Sequence, residues 1–324
     1  MGRYIRKRVG LIFLTGFIIL FLSFYIIKLM PDNNRPVLGV DPIIWEYIKL
    51  REGYHLPIPQ QFLIWLKNIF FEGTFGYSFY HKRDSWLVLQ GRIPETIKLN
   101  LIPYLIAIPL GIFFGIVAAL KKNKLTDHVI SFLVVLVISV PVFVTAVLFQ
   151  YFLVYKWKIL PYAFVLPSYE ASLDPIGNIV SRILPSVVIA LGLIAGWTRS
   201  LRAELTEVLT SDYMLLAKAK GLKKSQTVYR HALRNAMVPF FPSITGAFIS
   251  LLYGSIVVER AFGVAGIGDV YLGALGNRDF NLIMLYMAFY TFIGLIGALI
   301  GDLSYGIIDP RIKMGGGKTN EWWF

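Results

Sequence analysis

Residues 212–239 read DYMLLAKAKGLKKSQTVYRHALRNAMVP, a polar, basic stretch between two long apolar runs. Tyr213, Ala217 and Lys220 fall at i, i+4 and i+7, on one face of a helix predicted over 213–220. Ala217 and Ala219 keep that helix slim, which suits close docking. Gly221 tolerates positive φ and can close the helix as its C-cap. Lys218, Lys220, Lys223 and Lys224 gather at that end, where the helix dipole favours cations. A second helix is predicted over 229–235, and Pro239 marks the return to an apolar run. The plainer reading is a basic loop held at a membrane by the positive-inside effect.

The order of residues goes further than charge. The stretch resembles the EAA signature loop of permease subunits of bacterial binding-protein-dependent ABC importers. It is most similar to the dipeptide/oligopeptide/nickel branch, which reads roughly D-Y-x-x-x-A-x-A-K-G-L and then H-A-L-R-N-A-x-x-P. The matching residues are Asp212, Tyr213, Ala217, Ala219, Lys220, Gly221 and Leu222, then His231, Ala232, Leu233, Arg234, Asn235, Ala236 and Pro239. The glutamate of the general motif is absent at its place, as is common in this branch. Leu216 stands where the branch often has a small polar residue. The resemblance implies an all-α, type I importer permease whose first loop helix is a coupling helix seated on an ATPase subunit. It implies a second homologous permease, two cytoplasmic ATPases that bind ATP and Mg, and an extracytoplasmic solute-binding protein.

Composition agrees with a membrane protein. The chain has 324 residues, 56% apolar and only 16% charged, with mean hydropathy +0.63. Several apolar runs reach the roughly 20 residues that cross a bilayer as helix. There are no cysteines, which excludes disulfides, iron–sulfur clusters and thiolate metal sites.

Upstream of the loop, Arg3, Arg6, Lys7 and Arg8 precede an apolar run over 9–30, read as an uncleaved first crossing. Residues 32–95 form an extracytoplasmic insert, with Phe62, Trp65, Leu66, Ile69 and Phe70 at helical spacing after Pro57 and Pro59. That face is expected to lie on the bilayer surface or to pack on the rest of the insert. The segment 73–78 reads as a turn and resembles the family's G-x-x-G-Y-S-F. His55 and His81 stand alone, as ordinary surface histidines do. A second crossing is predicted over 99–120, with Gly111 and Gly115 as a small-residue pair for close helix packing. A third is predicted over 129–155, kinked at Pro141. Its Gln150 is a rare polar side chain that either faces a pathway or bonds a neighbouring helix. An outer loop over 156–182 leads to a short fourth crossing, 183–197, with Gly192 and Gly196.

Downstream, residues 239–258 are the predicted fifth crossing. Glu259, Phe262, Gly266 and Gly268 resemble the family's E-x-x-F-x-x-x-G-x-G, and Asn277, Arg278 and Asp279 its N-R-D. The sixth crossing spans 282–301, with Gly297 and Gly301. Asp302 and the Asp309-Pro310-Arg311 ending also match, and 309–324 read as a cytoplasmic tail.

Orientation follows from Lys and Arg in the loops. The 199–234 segment has eight basic residues against three acids, whereas the 32–95 insert has seven of each. Both termini are therefore expected in the cytoplasm of a bacterial or archaeal cell membrane protein with six crossings. The net charge of +13 is placed as topology requires and calls for no nucleic acid. Gly315 to Thr319 imitates the end of a P-loop, but Ile312 stands where its first glycine belongs. The reading is a permease subunit, not an enzyme, forming half of a path for peptides, with no cofactor of its own. The same permease type carrying nickel or another small solute is one alternative. An ion-gradient transporter is another, and it would want carboxylates at membrane depth; an intramembrane enzyme would want paired catalytic groups there.

Overall fold

The computed structural model describes residues 2–29, 41–251 and 255–308, and apart from one two-residue hairpin its elements are helices. Residues 32–40 of the insert, the 309–311 ending and the 315–319 tail lie outside the described residues, as does the Asp302 side chain. The first half runs α1 (Gly2–Lys28), α2 (Pro42–Arg51), α3 (Ile58–Phe71), the hairpin β1 (Tyr77–Ser78) with β2 (Arg83–Asp84), α4 (Ser85–Gln90) and α5 (Ile93–Leu120). Then come α6 (Leu125–Ser139), α7 (Val142–Phe149), a π-helical segment Gln150–Lys156, α8 (Ser168–Leu173), α9 (Pro175–Ser181) and α10 (Ile183–Leu209). The loop supplies α11 (Asp212–Ala219), α12 (Lys224–Gln226) and a π-helical turn Thr227–Ala232. The chain ends in α13 (Leu233–Ser250), α14 (Ile256–Ala261), α15 (Ile267–Gly276) and α16 (Phe280–Ile308).

Among the described residues four helices have the length and apolarity of a membrane span, and the bent pair α6–α7 makes a fifth. The expected fifth crossing, α13, is not among them and ends at Ser250. Expected to open where the helix over 229–235 stops, the apolar run instead continues one helix, with Pro239 inside it. The fourth crossing is longer than predicted. Nothing between Arg199 and Leu209 breaks a helix, since Arg, Glu and Leu all favour it, so α10 runs on to Leu209.

Pro141 does more than kink the third crossing: the two helices meet at 98°. Proline lacks an N–H and crowds the residue before it, so Val140 turns extended at φ −84°, ψ 123°. Pro141 then serves as the N-cap of α7.

The apolar face of α3 packs on the rest of the insert, through Val88 and Leu89 of α4, and beyond it on the first and last long helices. Phe62 lies between rings of α1, 5.3 Å from Phe21 and 5.4 Å from Phe24, and Phe24 meets Phe280 of α16 at 5.4 Å. One apolar cluster thus joins α1, α3, α4, α15 and α16. Only Phe70 of the predicted stripe stays outside, 77% exposed.

The main helix pair is α5 with α10. A Cβ on Gly111 would fall 2.7 Å from Trp197 Cβ, and one on Gly115 would fall 2.9 Å from Leu201 Cβ, so both glycines are needed for the approach. Gly192 and Gly196 behave otherwise. Nothing of the chain lies within 4 Å of a Cβ at either, so they make no close contact inside the subunit.

Candidate functional site

The basic loop is carried by α10. Its Trp197, Thr198, Leu201 and Leu205 are buried, so the helix stays seated beyond its apolar half. Thr210 Oγ1 donates to Glu207 O at 2.9 Å and Ser211 Oγ to Val208 O at 2.6 Å, satisfying terminal carbonyls where the helix stops.

Helix α11 turns back against this end. Met214 and Ala217, at i and i+3, form its inner face and are buried; Met214 joins Leu205, Ala232 and Ala236 in one cluster. Tyr213, Leu216 and Lys220, at i, i+3 and i+7, form the outer face. Leu215 and Leu216 are 58% and 59% exposed, and Asp212, Tyr213, Ala219 and Lys220 are exposed too. The face predicted from Tyr213, Ala217 and Lys220 is therefore corrected: Ala217 turns inward, and Leu216 takes its place outside. Gly221 has φ +76° and ends α11 in the left-handed region, as predicted. Leu222 behind it is half-buried.

The second half of the motif folds onto the same end. Thr227 Oγ1 donates to Lys223 O at 3.1 Å, and Lys223 N donates to Gln226 Oε1 at 3.2 Å, which starts α12. Ala232 and Ala236 are fully buried, small enough to let α13 lie beside α10. Tyr229, His231, Arg234, Asn235 and Pro239 are exposed, with Asn235 Nδ2 donating to His231 O at 2.9 Å. Both parts of the motif thus bury small or apolar residues, Met214, Ala217, Ala232 and Ala236, and leave most of the polar and aromatic ones turned out.

One brace here has no motif to announce it. Arg202 of α10 donates through Nε to Asp127 Oδ1 at 2.6 Å and through Nη2 to Oδ2 at 2.8 Å. Asp127 also accepts from Asn123 N at 2.9 Å and Ser131 Oγ at 3.3 Å. Its one sequence signal is a single acid after three lysines, opening an apolar run.

The opposite end holds two buried carboxylates. Glu259 accepts from Thr96 Oγ1 at 2.8 Å, from Gly268 N at 2.6 Å and from Asp269 N at 3.2 Å. A Cβ on Gly266 would fall 2.5 Å from Glu259 Cδ, and one on Gly268 would fall 2.6 Å from Ile256 Cα. The spacing E-x-x-F-x-x-x-G-x-G is therefore a cradle: the glycines leave room for the carboxylate to reach backbone N–H groups. Asp279 accepts from Ser78 Oγ at 2.5 Å and Tyr80 N at 3.4 Å, and caps α16 through Leu282 N at 3.3 Å. This pins the hairpin to α16. Burial pushes both carboxyls above their ordinary values, against the bonds they accept. His81 is pushed down by burial, against the opposing pull of Asp279.

Gln150 Nε2 donates to Ala163 O at 2.8 Å and Ala261 O at 3.1 Å, so this amide nitrogen ties the π-helical segment to α14 and the loop before α8. Pro141 is exposed at the bend. Among the described residues no group of three His, Asp or Glu is placed to hold a metal ion.

Residues 111–314 match the family model described as binding-protein-dependent transport system inner membrane component. The chain is similar to the dipeptide transport system permease protein DppB of Lactococcus lactis subsp. cremoris (strain MG1363), at 33% identity over 97% of this chain and 100% of that protein. It is similar to DppB of Bacillus subtilis (strain 168), at 32% identity over 97% of this chain and 99% of that one. The oligopeptide transport system permease protein OppB of Haemophilus influenzae (strain ATCC 51907 / DSM 11121 / KW20 / Rd) matches at 30%, covering 97% and 100%. A solved structure titled "Crystal structure of an amino acid ABC transporter with histidines" superposes with TM-score 0.47 at 17% identity, covering 67% of this chain and 92% of that one.

Proposed function

The chain belongs to the family of binding-protein-dependent transport system inner membrane components, and we propose that it forms half of the translocation path of an ATP-driven peptide importer. In this reading α11 is the coupling helix. ATP and Mg bind on two partner ATPase subunits, and a second homologous permease supplies the other half of the path. An extracytoplasmic binding protein delivers the peptide to the insert end. The subunit lies in the inner or plasma membrane with both termini in the cytoplasm. The names of the relatives support di- or oligopeptides as cargo over nickel or another small solute.

The observation that carries the reading is the two-faced α11. Its inner face is buried through Met214, which clusters with Leu205 of α10 and with Ala232 and Ala236, and through Ala217, while two leucines and a tyrosine are left in the open. Covering a leucine fully is worth about 1.5–3 kcal/mol, so a partner seated on that outer face gains substantially. Motion of α11 would pass to α10, a single helix of 27 residues that reaches the insert end. An ATPase that binds one arrangement better than the other then shifts the permease between two states. Buried carboxylates favour this over an ion-gradient transporter: Asp127, Glu259 and Asp279 sit at helix ends and accept bonds from their own chain.

The test uses the absence of native cysteines. With the importer reconstituted in membranes, Leu216→Cys should cross-link to an ATPase subunit carrying a reactive groove, and Met214→Cys should not. Cross-linking from Met214→Cys alone would overturn the assignment.

A further inference from the structure

Where α1, α3, β1 and α16 meet, a small cavity of about 20 Å3 is lined by Lys28, Glu52, Gln61, Trp65, Asn68 and Asn281, among others. Two buried polar atoms here have no protein partner: Gln61 Oε1 and Trp65 Nε1. Both residues are 7% exposed and stand at i and i+4 on α3, on one face. The amide orientation of Gln61 is not free to change. Its Nε2 donates to Leu56 O at 2.9 Å and more weakly to Tyr54 O at 3.4 Å, and both are acceptors, so the oxygen must take the other side.

One orphan is an acceptor and the other is a donor. Leaving either dry costs about 1–3 kcal/mol, so a buried pair of this kind wants a bridging group that both donates and accepts. Size decides which group. A water needs about 10–15 Å3 of such space, and a peptide terminus or lipid headgroup needs several times more. The lining supplies further partners of both kinds, with the Glu52 carboxylate accepting and the Asn281 amide donating; the two already meet at 2.9 Å.

We propose that this cavity is a binding site for one ordered water, which accepts from Trp65 Nε1–H, donates to Gln61 Oε1 and keys the insert to the first and last long helices. The rings of Phe24, Phe75 and Phe280 also line the site and supply no hydrogen-bond partner. Lys28 closes one wall, its ammonium 3.5 Å from the Tyr54 ring and 3.8 Å from the Phe280 ring. The water therefore sits in a polar pocket of an aromatic joint, and its bonds fix the rotation of α3 on α1. This holds whatever the importer carries.

The experiment is a map of the assembled importer in lipid nanodiscs at a resolution that shows ordered solvent. A solvent peak within hydrogen-bond distance of both Gln61 Oε1 and Trp65 Nε1 is expected. In Trp65→Phe, which keeps an aromatic ring and removes only the N–H donor and some volume, the peak should be lost or displaced towards Gln61. A dry cavity, or direct contact of Gln61 Oε1 with Trp65 Nε1, overturns the proposal. So does a peak unmoved in Trp65→Phe, because the indole would then not be a partner.

Discussion

Arg202 grips Asp127 with two prongs, Nε to Oδ1 at 2.6 Å and Nη2 to Oδ2 at 2.8 Å, and so joins the start of α6 to the part of α10 that carries α11. The carboxylate is 1% exposed and the guanidinium 33%. Removing the arginine strands a buried charge, which costs more than the pair itself contributes. Arg202→Leu should lower stability by about 2–3 kcal/mol after allowance for the half-open arginine. Pairing it with Asp127→Asn should restore part of the loss. Thermal unfolding of the purified subunit measures both. A double variant no more stable than Arg202→Leu would mean the pair is not the brace.

Little of that brace is legible in the sequence. Arg202 reads as loop charge because apolarity fades after Trp197, but helix propensity does not fade there and α10 continues. The loop itself is legible, since Gly221 and the alanine spacing carry local rules of capping and close packing. Its facing is not. Spacing alone puts Ala217 with Tyr213 and Lys220, and which side of a helix turns inward depends on Leu205, Ala232 and Ala236 arriving from elsewhere in the chain. The Glu259 cradle is visible only as a string of glycines, because its purpose depends on Thr96, far away in sequence.

The small residues of α5 and α10 should differ in their tolerance. Gly111→Leu and Gly115→Leu push a side chain into Trp197 or Leu201 at under 3 Å and should cost about 1–3 kcal/mol or more. Gly192→Leu meets no atom of its own chain and should leave the subunit fold intact. Melting of the isolated subunit separates the two cases. Equal losses at Gly111 and Gly192 would count against the packing described.

Acidity should act on the insert end through Glu259 and Asp279. Both hold their protons more tightly when folded than their ordinary values of 4.5 and 3.8 imply. Their contribution to stability is therefore present below those values and is lost as pH rises through the higher folded ones. A tenfold gain in proton affinity on folding is worth about 1.4 kcal/mol. From mildly acid to neutral pH, the thermal midpoint of the wild type should fall relative to that of Glu259→Gln, which cannot ionise. Parallel profiles for the two proteins would show that burial of Glu259 is not coupled to its proton.

The outer face of α11 makes the sharpest functional prediction. Leu216→Asp changes a side chain that touches solvent, so the subunit should fold and insert normally. Against an ATPase groove the added charge must be desolvated, and association or coupling should weaken several-fold at least. Ala217→Trp acts differently, because Ala217 is buried against its own chain: the ring must displace α11 from its seat and disorder the mount itself. Gly221→Val forces a β-branched residue to φ +76°, at a cost on the order of 1 kcal/mol or more, and should misdirect the exit of α11 with no packing clash, since nothing lies within 4 Å. Reconstituted with their partners, all three variants should lose peptide uptake. Leu216→Asp alone should keep the wild-type melting profile of the isolated subunit. Normal uptake and hydrolysis in Leu216→Asp would mean that α11 meets no ATPase through this face, and the coupling assignment would fall.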